Sequence, residues 1–322
     1  MKSNYLSGLA AAALLALAAP QLAGAASKDP VAATPEQAAA MARADALQKQ
    51  LHPQTGVVAI PAANARLNLG NRYYYLPADE AKRVLTEAWG NPPDAVDGVL
   101  GMVFPAGRSF SDATWGAVIQ YEDTGHIDDK DAASQDYSAV LADMQSAEAE
   151  AAKSAQAQGY AAGHLIGWAQ APTYDSRTRT LIWARNIKFD GTEDNTLNYD
   201  VRTLGRTGVL SLNMVDTMTN LPAVREAAKG LGGTVQFNPG ASYADFNSST
   251  DKMADYGLAG LVAAGAGVAV AKKLGLLGVI LLFLKKGIVV VIAAAGGLWA
   301  WIKRKTGRGD SDGTIDDEPQ QA

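Results

Sequence analysis

The stretch "TRTLIWARNIKFDGTEDNTLNYDVRTLGRTGVLSLNMV" (residues 178–215) holds three apolar-rich runs separated by two short polar connectors, and it decides the fold class. The connectors "DGTEDN" (190–195) and "GRTG" (205–208) are made of turn formers. A parallel crossover needs a dozen or more residues, so these runs are antiparallel neighbours. Aligning their apolar residues sets Phe189 opposite Leu197 and Ile187 opposite Tyr199. In that register Asn186, Lys188, Asn198, Asp200 and Arg202 fall on the other face, a solvated stripe and a candidate ligand face.

Working outward, "GHLIGWAQ" (163–170) supplies a strand before this group and "LPAVREAAKGLGG" (221–233) a short closing helix after it. Further upstream, "GVVAIPAANARLNLGNRYYYL" (56–76), "GVLGMVFP" (98–105) and "WGAVIQYE" (115–122) read as strands. In the last of these Trp115, Ala117, Ile119 and Tyr121 alternate to one side. Two helices interrupt them. "PADEAKRVLTEAWG" (77–90) has Pro77 at its start, Asp79 and Glu80 in its first turn and Gly90 as its stop. A longer helix runs from about Ser134 or Asp136 to Gln158, with Tyr137, Val140, Leu141 and Met144 as its buried stripe and a solvated second half. The expected class is α+β: an antiparallel sheet with helices packed on one face, plus one or more C-terminal transmembrane helices.

Charge and composition exclude some functions. With 28 Lys+Arg against 33 Asp+Glu the formal net charge is −5, a poor basis for binding nucleic acid. The chain has no cysteine, which rules out disulfides, thiolate metal sites and a thiol nucleophile. No nucleophile elbow, phosphate-binding loop or dinucleotide fingerprint is present, and no cofactor is implied.

The loop "YEDTGHIDDKD" (121–131) is the candidate for chemistry. It gathers Glu122, Asp123, His126, Asp128, Asp129 and Asp131, groups that bind a hard cation or work as an acid/base pair. Acidic turn residues ahead of a helix are also ordinary partners of its N-terminal dipole, and the spacing fits no EF-hand. His52 stands beside Pro53 in a linker, and His164 alternates with Ile166 and Trp168 as a strand residue.

The two ends speak of location. "MKSNYLSGLAAAALLALAAPQLAGAA" (1–26) has Lys2, a short apolar run and an Ala23-x-Ala25 cleavage pattern, the form of a signal peptide over residues 1–25. Residues 26–56 follow as an alanine-rich helix and linker, with Thr34 as N-cap, Pro35 at the first helical position and Gln37 completing a capping box. The soluble domain then covers 57–250. From 257 to 305 the chain is apolar but interrupted by Lys272–Lys273 and Lys285–Lys286. A span over about 283–302 lets Lys285 and Lys286 reach one interface, while Trp299, Trp301, Lys303, Arg304 and Lys305 mark the other. The acidic tail 306–322 is expected to be disordered and cytoplasmic.

The segments "RYYYLPADEAKRVLTEAWGNPP", "QYEDTGHIDDKDA", "GWAQAPTYDSRTRTLIWA", "LNYDVRTLGRTGVLSLN" and "DKMADYG", followed by the lysine-interrupted tail, resemble the bacterial membrane-anchored proteins of the domain-of-unknown-function 2167 family. The resemblance spans about residues 50–305 and implies an envelope location with a C-terminal anchor. The order of elements also resembles the PsbP type of sheet, an analogy of fold alone. Together these readings describe a periplasmic, inner-membrane-anchored module. It binds or scaffolds, with the lipid bilayer and an unidentified envelope protein or ligand as partners. The alternative is a periplasmic metal-dependent enzyme that uses the His126 loop.

Overall fold

The computed structural model describes residues 35–265 apart from 90, 92, 113, 131 and 158–161. Its nine strands form one antiparallel sheet in the order β1-β2-β3-β4-β8-β7-β6-β5, with β9 added beside β2. The strands are β1 (Gln54–Ile60), β2 (Ala65–Pro77), β3 (Gly101–Pro105), β4 (Gly116–Glu122), β5 (Gly163–Asp175), β6 (Thr180–Phe189), β7 (Thr196–Leu204), β8 (Val209–Thr217) and β9 (Val235–Phe237). The helices are α1 (Pro35–Gln48), α2 (Ala78–Arg83, continued by a wider turn over Val84–Ala88), α3 (Tyr137–Ala157), α4 (Leu221–Gly232) and α5 (Leu258–Gly265).

Three antiparallel neighbours, β6, β7 and β8, arise from the opening stretch as expected, but in a different register. Ala184 pairs with Tyr199, Asn186 with Leu197 and Ile187 with Thr196. Compared with the apolar alignment, the pairing has slipped by an odd number of residues, and an odd slip exchanges the faces. The cause is the β6–β7 connection. The Lys188 ammonium donates to the Thr192 and Glu193 carbonyls at 2.6 and 2.7 Å, and the Thr192 hydroxyl donates to the Phe189 carbonyl at 2.9 Å. These bonds close the turn over the end of β6, where Lys188 and Phe189 stay paired with β5 but leave the β7 ladder.

The sheet is therefore buried on both sides, and helices cover both faces instead of one. On the first face Tyr199, Val201, Leu210, Leu212 and Met214 pack with Val224, Ala228 and Leu231 of α4. Val58, Ile60, Leu67 and Leu69 of the first hairpin join the same core. The β4 alternation is as expected here, since Trp115, Ala117, Ile119 and Tyr121 all contribute to this face. Val118, between them, is buried just as fully against the opposite cluster. That second face packs Leu181, Trp183, Ile187 and Phe189 against Met144 and Ala147 of α3 and Leu258, Leu261 and Val262 of α5. Toward β3, α2 fills it with Val84, Leu85 and Trp89.

Helix starts follow local chemistry. The Asp136 carboxylate accepts the Ser138 and Ala139 amides and caps α3. α1 begins at Pro35 and buries Leu47, with Leu51 just past its end buried as well, while Met41 stays exposed. Beyond Met144 the described part of α3 is solvated on one side only, since Ala147 and Ala152 are buried and Glu148 approaches Arg185 of the sheet, while Ser146, Ala149 and Lys153 are exposed. All three of Tyr73, Tyr74 and Tyr75 are buried, the outer two in one core and Tyr74 in the other. Among the described residues no helix is long and apolar enough to cross a membrane. The signal peptide, the span near 283–302 with Lys285, Lys286, Trp299, Trp301, Lys303, Arg304 and Lys305, and the acidic tail lie outside the described residues.

Candidate functional site

The altered register divides the proposed ligand face. Asn186 and Lys188 sit half-buried beside the β6–β7 turn, where Asn186 accepts from Asn195 at 2.7 Å. Asn198, Asp200 and Arg202 point inward on the second face, each at most 3% exposed. That part of the stripe is buried and lies beneath α3 and α5, because pairing of Trp183 with Asp200 and Leu181 with Arg202 puts it on the β6 core side.

Here the two candidate groups meet. Glu122, the last residue of β4, accepts from Arg202 at 2.5 Å. Arg202 also approaches Asp200 at 3.5 Å and lies over the Trp183 ring, 5.2 Å from its centre. Asp200 comes within 3.8 Å of Arg185, which donates to Asn198 at 2.5 Å and faces Glu148 of α3 at 3.9 Å. Asn198 and Asn213 exchange side-chain bonds at 3.2 and 3.1 Å. The result is a buried chain of alternating charge: Glu122, Arg202, Asp200, Arg185, Glu148. Burial pushes the Glu148 carboxyl up to about 7, with Arg185 opposing the rise. Burial also lowers the Arg185 pKa, while Asp200 and Glu148 favour its charge. Arg185 and Glu148 could not be picked out in advance, since one reads as a strand residue and the other as part of a solvated helix face.

The remaining loop residues go separate ways. His126 is buried and sandwiched between Phe246 and Tyr243, with ring centres 3.9 and 4.2 Å away. Its Nδ1 lies 3.1 Å from the Arg206 carbonyl, and burial depresses its pKa. Asp129 accepts from the Tyr174 and Tyr243 hydroxyls at 2.7 and 3.0 Å and pairs with Arg179. Burial alone would raise its pKa, but these donors hold it below the usual value. Asp128 takes Lys130 at 3.1 Å near the surface. Asp131 is outside the described residues. Among those described, no three His, Cys, Asp or Glu side chains come together as a metal-binding group. The loop works as a seam that ties the end of β4 to the 242–256 segment. Its exposed edge, Asp123, opens elsewhere.

Asp123 borders a cleft of about 430 Å³ at the end of the sheet where β4 finishes and β7 turns into β8. Five chain segments meet there: Ala62–Asn64 from the first hairpin, Tyr121 and Asp123, Arg206 and Thr207, Gly240 and Ala241, and Asp251. Two left-handed residues shape its rim, Asn64 at φ 45° and Gly240 at φ 85°. Arg206 grips Asp251 with Nε and Nη2 at 2.7 and 2.9 Å, which holds the Asp251 carboxyl well below the usual range.

Residues 52–296 match the family described as a protein of unknown function, DUF2167. The chain belongs to the DUF2167 family. The matched span takes in the whole sheet, the buried charge chain, the cleft, α5 and most of the apolar run that follows. No curated protein matches this chain. The solution structure of cyanobacterial PsbP (CyanoP) from Synechocystis sp. PCC 6803 is similar at 10% identity and a TM-score of 0.33, covering 58% of this chain and 92% of that one. A likeness this low carries no argument about fold or function.

The other two histidines have surface partners, His52 with Glu80 at 2.8 Å and His164 with Asp190 at 3.0 Å. The cleft was not legible as a site beforehand, because its residues lie in five separated turns. The one hint was that "GRTG", "NPG" and the acidic loop all carry turn chemistry rather than core residues.

Proposed function

We propose that this chain is a non-enzymatic binding or scaffolding module of the bacterial envelope. In this reading the signal peptide exports it, the apolar run that follows α5, with its span near 283–302, holds it at the inner membrane, and the sheet domain faces the periplasm. The observation that carries binding is the loop-end cleft, whose volume lies in the range of small-ligand sites. Its turns are tied to one another, with Arg206 bonded to Asp251 and to the Gly240 carbonyl. The buried charge chain is closed over by α3 and α5 and serves as a structural element here.

Anchoring draws support from α5. Leu258, Leu261 and Val262 are fully buried, so the domain leads into the apolar run through a helix of its own core. A photo-crosslinking residue at Ala62 on the cleft rim, in the full chain expressed in its cells, tests the reading. Adducts are expected from position 62 and not from Glu193, an exposed residue in the β6–β7 turn at the opposite end of the sheet. Equal adduct formation from both positions, or none from 62, would contradict it.

A further inference from the structure

What the cleft can bind depends on which of its polar groups already have partners, since paired groups offer little to a ligand. Several of its donors are engaged, three of the five Arg206 N–H groups among them. Arg206 directs Nε and Nη2 onto Asp251 and Nη1 onto the Gly240 carbonyl at 3.1 Å. The Arg206 amide donates to the Ala241 carbonyl at 2.9 Å, the Asn64 amide to Pro61 at 3.0 Å and the Ala241 amide to Asn238 at 3.0 Å. The acceptor side is different. Asp123 is exposed, and among the described residues its carboxylate has no hydrogen bond or ion pair. Beside it the Tyr121 and Thr207 hydroxyls share one long bond of 3.3 Å, which leaves lone pairs on both oxygens.

The charges point the same way. Of the ionisable groups that line the cleft, Arg206 and Asp251 cancel, and Asp123 contributes a negative charge with no counterpart. A phosphate or carboxylate would meet that charge and a guanidinium whose own charge Asp251 already neutralises. A group made only of donors, and positive, meets the free acceptors. We propose that the cleft binds a primary ammonium group, seated between the Asp123 carboxylate and the Tyr121–Thr207 hydroxyl pair, and carried on a small hydroxylated or amide-bearing molecule. This deepens the binding-module reading and rests on it. The ammonium presents three donors and no acceptor, which the carboxylate and the two hydroxyl oxygens satisfy. Because Asp123 faces solvent, the attraction is screened by salt.

Two sources share this chemistry, an amino sugar and the lysine side chain of a peptide. Calorimetric titration of the full chain in a polyoxyethylene detergent, which carries neither sugar nor ammonium, separates them. The probes are glucosamine, Nα-acetyl-lysine amide and, as the neutral counterpart, glucose. The expected result is saturable binding of at least one ammonium probe, weakened by added salt, with glucose at least tenfold weaker. The tighter ammonium probe identifies the source. Asp123→Asn weakens that probe at least tenfold and leaves the melting temperature unchanged, since among the described residues Asp123 makes no hydrogen bond or ion pair. If glucose binds as well as glucosamine, and equally to Asp123→Asn, the ammonium assignment falls while the cleft stands as a binding site. If no probe gives saturable heat, the assignment also falls, and the crosslink from position 62 decides separately whether the cleft binds anything.

Discussion

Asp200 and Arg202, two residues apart on β7 and so on the same side of the strand, face each other at 3.5 Å with 1% and 3% of their side chains exposed. Charges this deep hold their place only because each has an opposite charge on both sides or a hydrogen bond in reserve. Asp200 stands between Arg185 and Arg202, and Arg202 between Asp200 and Glu122.

Removing the middle of the chain should therefore be expensive. Asp200→Ala leaves two buried guanidinium groups short of a counter-charge and is expected to cost about 3–5 kcal/mol. Tyr199→Ala, on the opposite face beside α4, deletes a large core side chain and should cost about 3–5 kcal/mol as well. Urea melts of the full chain in detergent check both. An Asp200→Ala cost near zero would mean that this face is open to water.

Alternation located β6, β7 and β8 but could not rank their faces, because both are buried. On β6, Leu181, Trp183 and Ile187 serve one core while Ile182 and Ala184 serve the other. With apolar residues at both parities, register passes to the turn, and there the decisive contacts are Lys188 with two carbonyls, which no apolar pattern reveals. The helices were easier, since α2 and α3 carry their apolar stripes, and α3 its Asp136 cap, within one segment. The cleft was hardest, because it exists only where distant turns meet.

Glu148 makes stability depend on pH in a definite direction. Its pKa is raised from 4.5 to about 7, so the folded state binds the proton more tightly than the unfolded chain. This contribution is fully present below about 4.5 and is lost as pH rises through about 7. Glu148→Gln should remove that slope. Melting temperatures of wild type and variant between pH 4.5 and 8 are expected to diverge on the alkaline side, with wild type losing more. Parallel curves would show that Glu148 is solvated and that α3 does not hold it against Arg185.

His126 acts with the opposite sign. Burial lowers its pKa below the ordinary histidine value of 6.5, so its contribution is present above 6.5 and lost as pH falls toward the folded value. His126→Phe keeps a ring between Tyr243 and Phe246 but cannot protonate. The variant should retain more of its neutral-pH stability at pH 5.5 than wild type does, by the part that His126 titrates. Added calcium, magnesium or zinc should leave the melting temperature of both unchanged. A metal-induced shift lost in His126→Phe would show that the loop can gather its acidic groups around a cation.

Gly208 tests how the loop end is built. A side chain there would run into the Glu122 carbonyl oxygen and the Tyr121 hydroxyl. Backbone cannot step aside as a flexible side chain can, so Gly208→Ala should cost about 2 kcal/mol or more by overpacking. It should also weaken whatever the cleft binds, because Tyr121 lines it. Gly167→Ala, where an added carbon meets nothing within 4 Å, is the matched control and should be nearly neutral. Equal stability of the two variants would place the β7–β8 turn farther from β4 than described.

The proposed periplasmic placement of the sheet domain is directly measurable, because the sequence contains no cysteine. Ser176 is exposed in the β5–β6 turn and accepts a single cysteine without touching the core. Intact spheroplasts carrying Ser176→Cys are treated with a membrane-impermeant maleimide, and lysed cells serve as the reference. A second chain with Ser311→Cys reports on the acidic tail. The predicted result is full labelling at position 176 before lysis and labelling at 311 only after it. Protection of position 176 until lysis would contradict the periplasmic module outright.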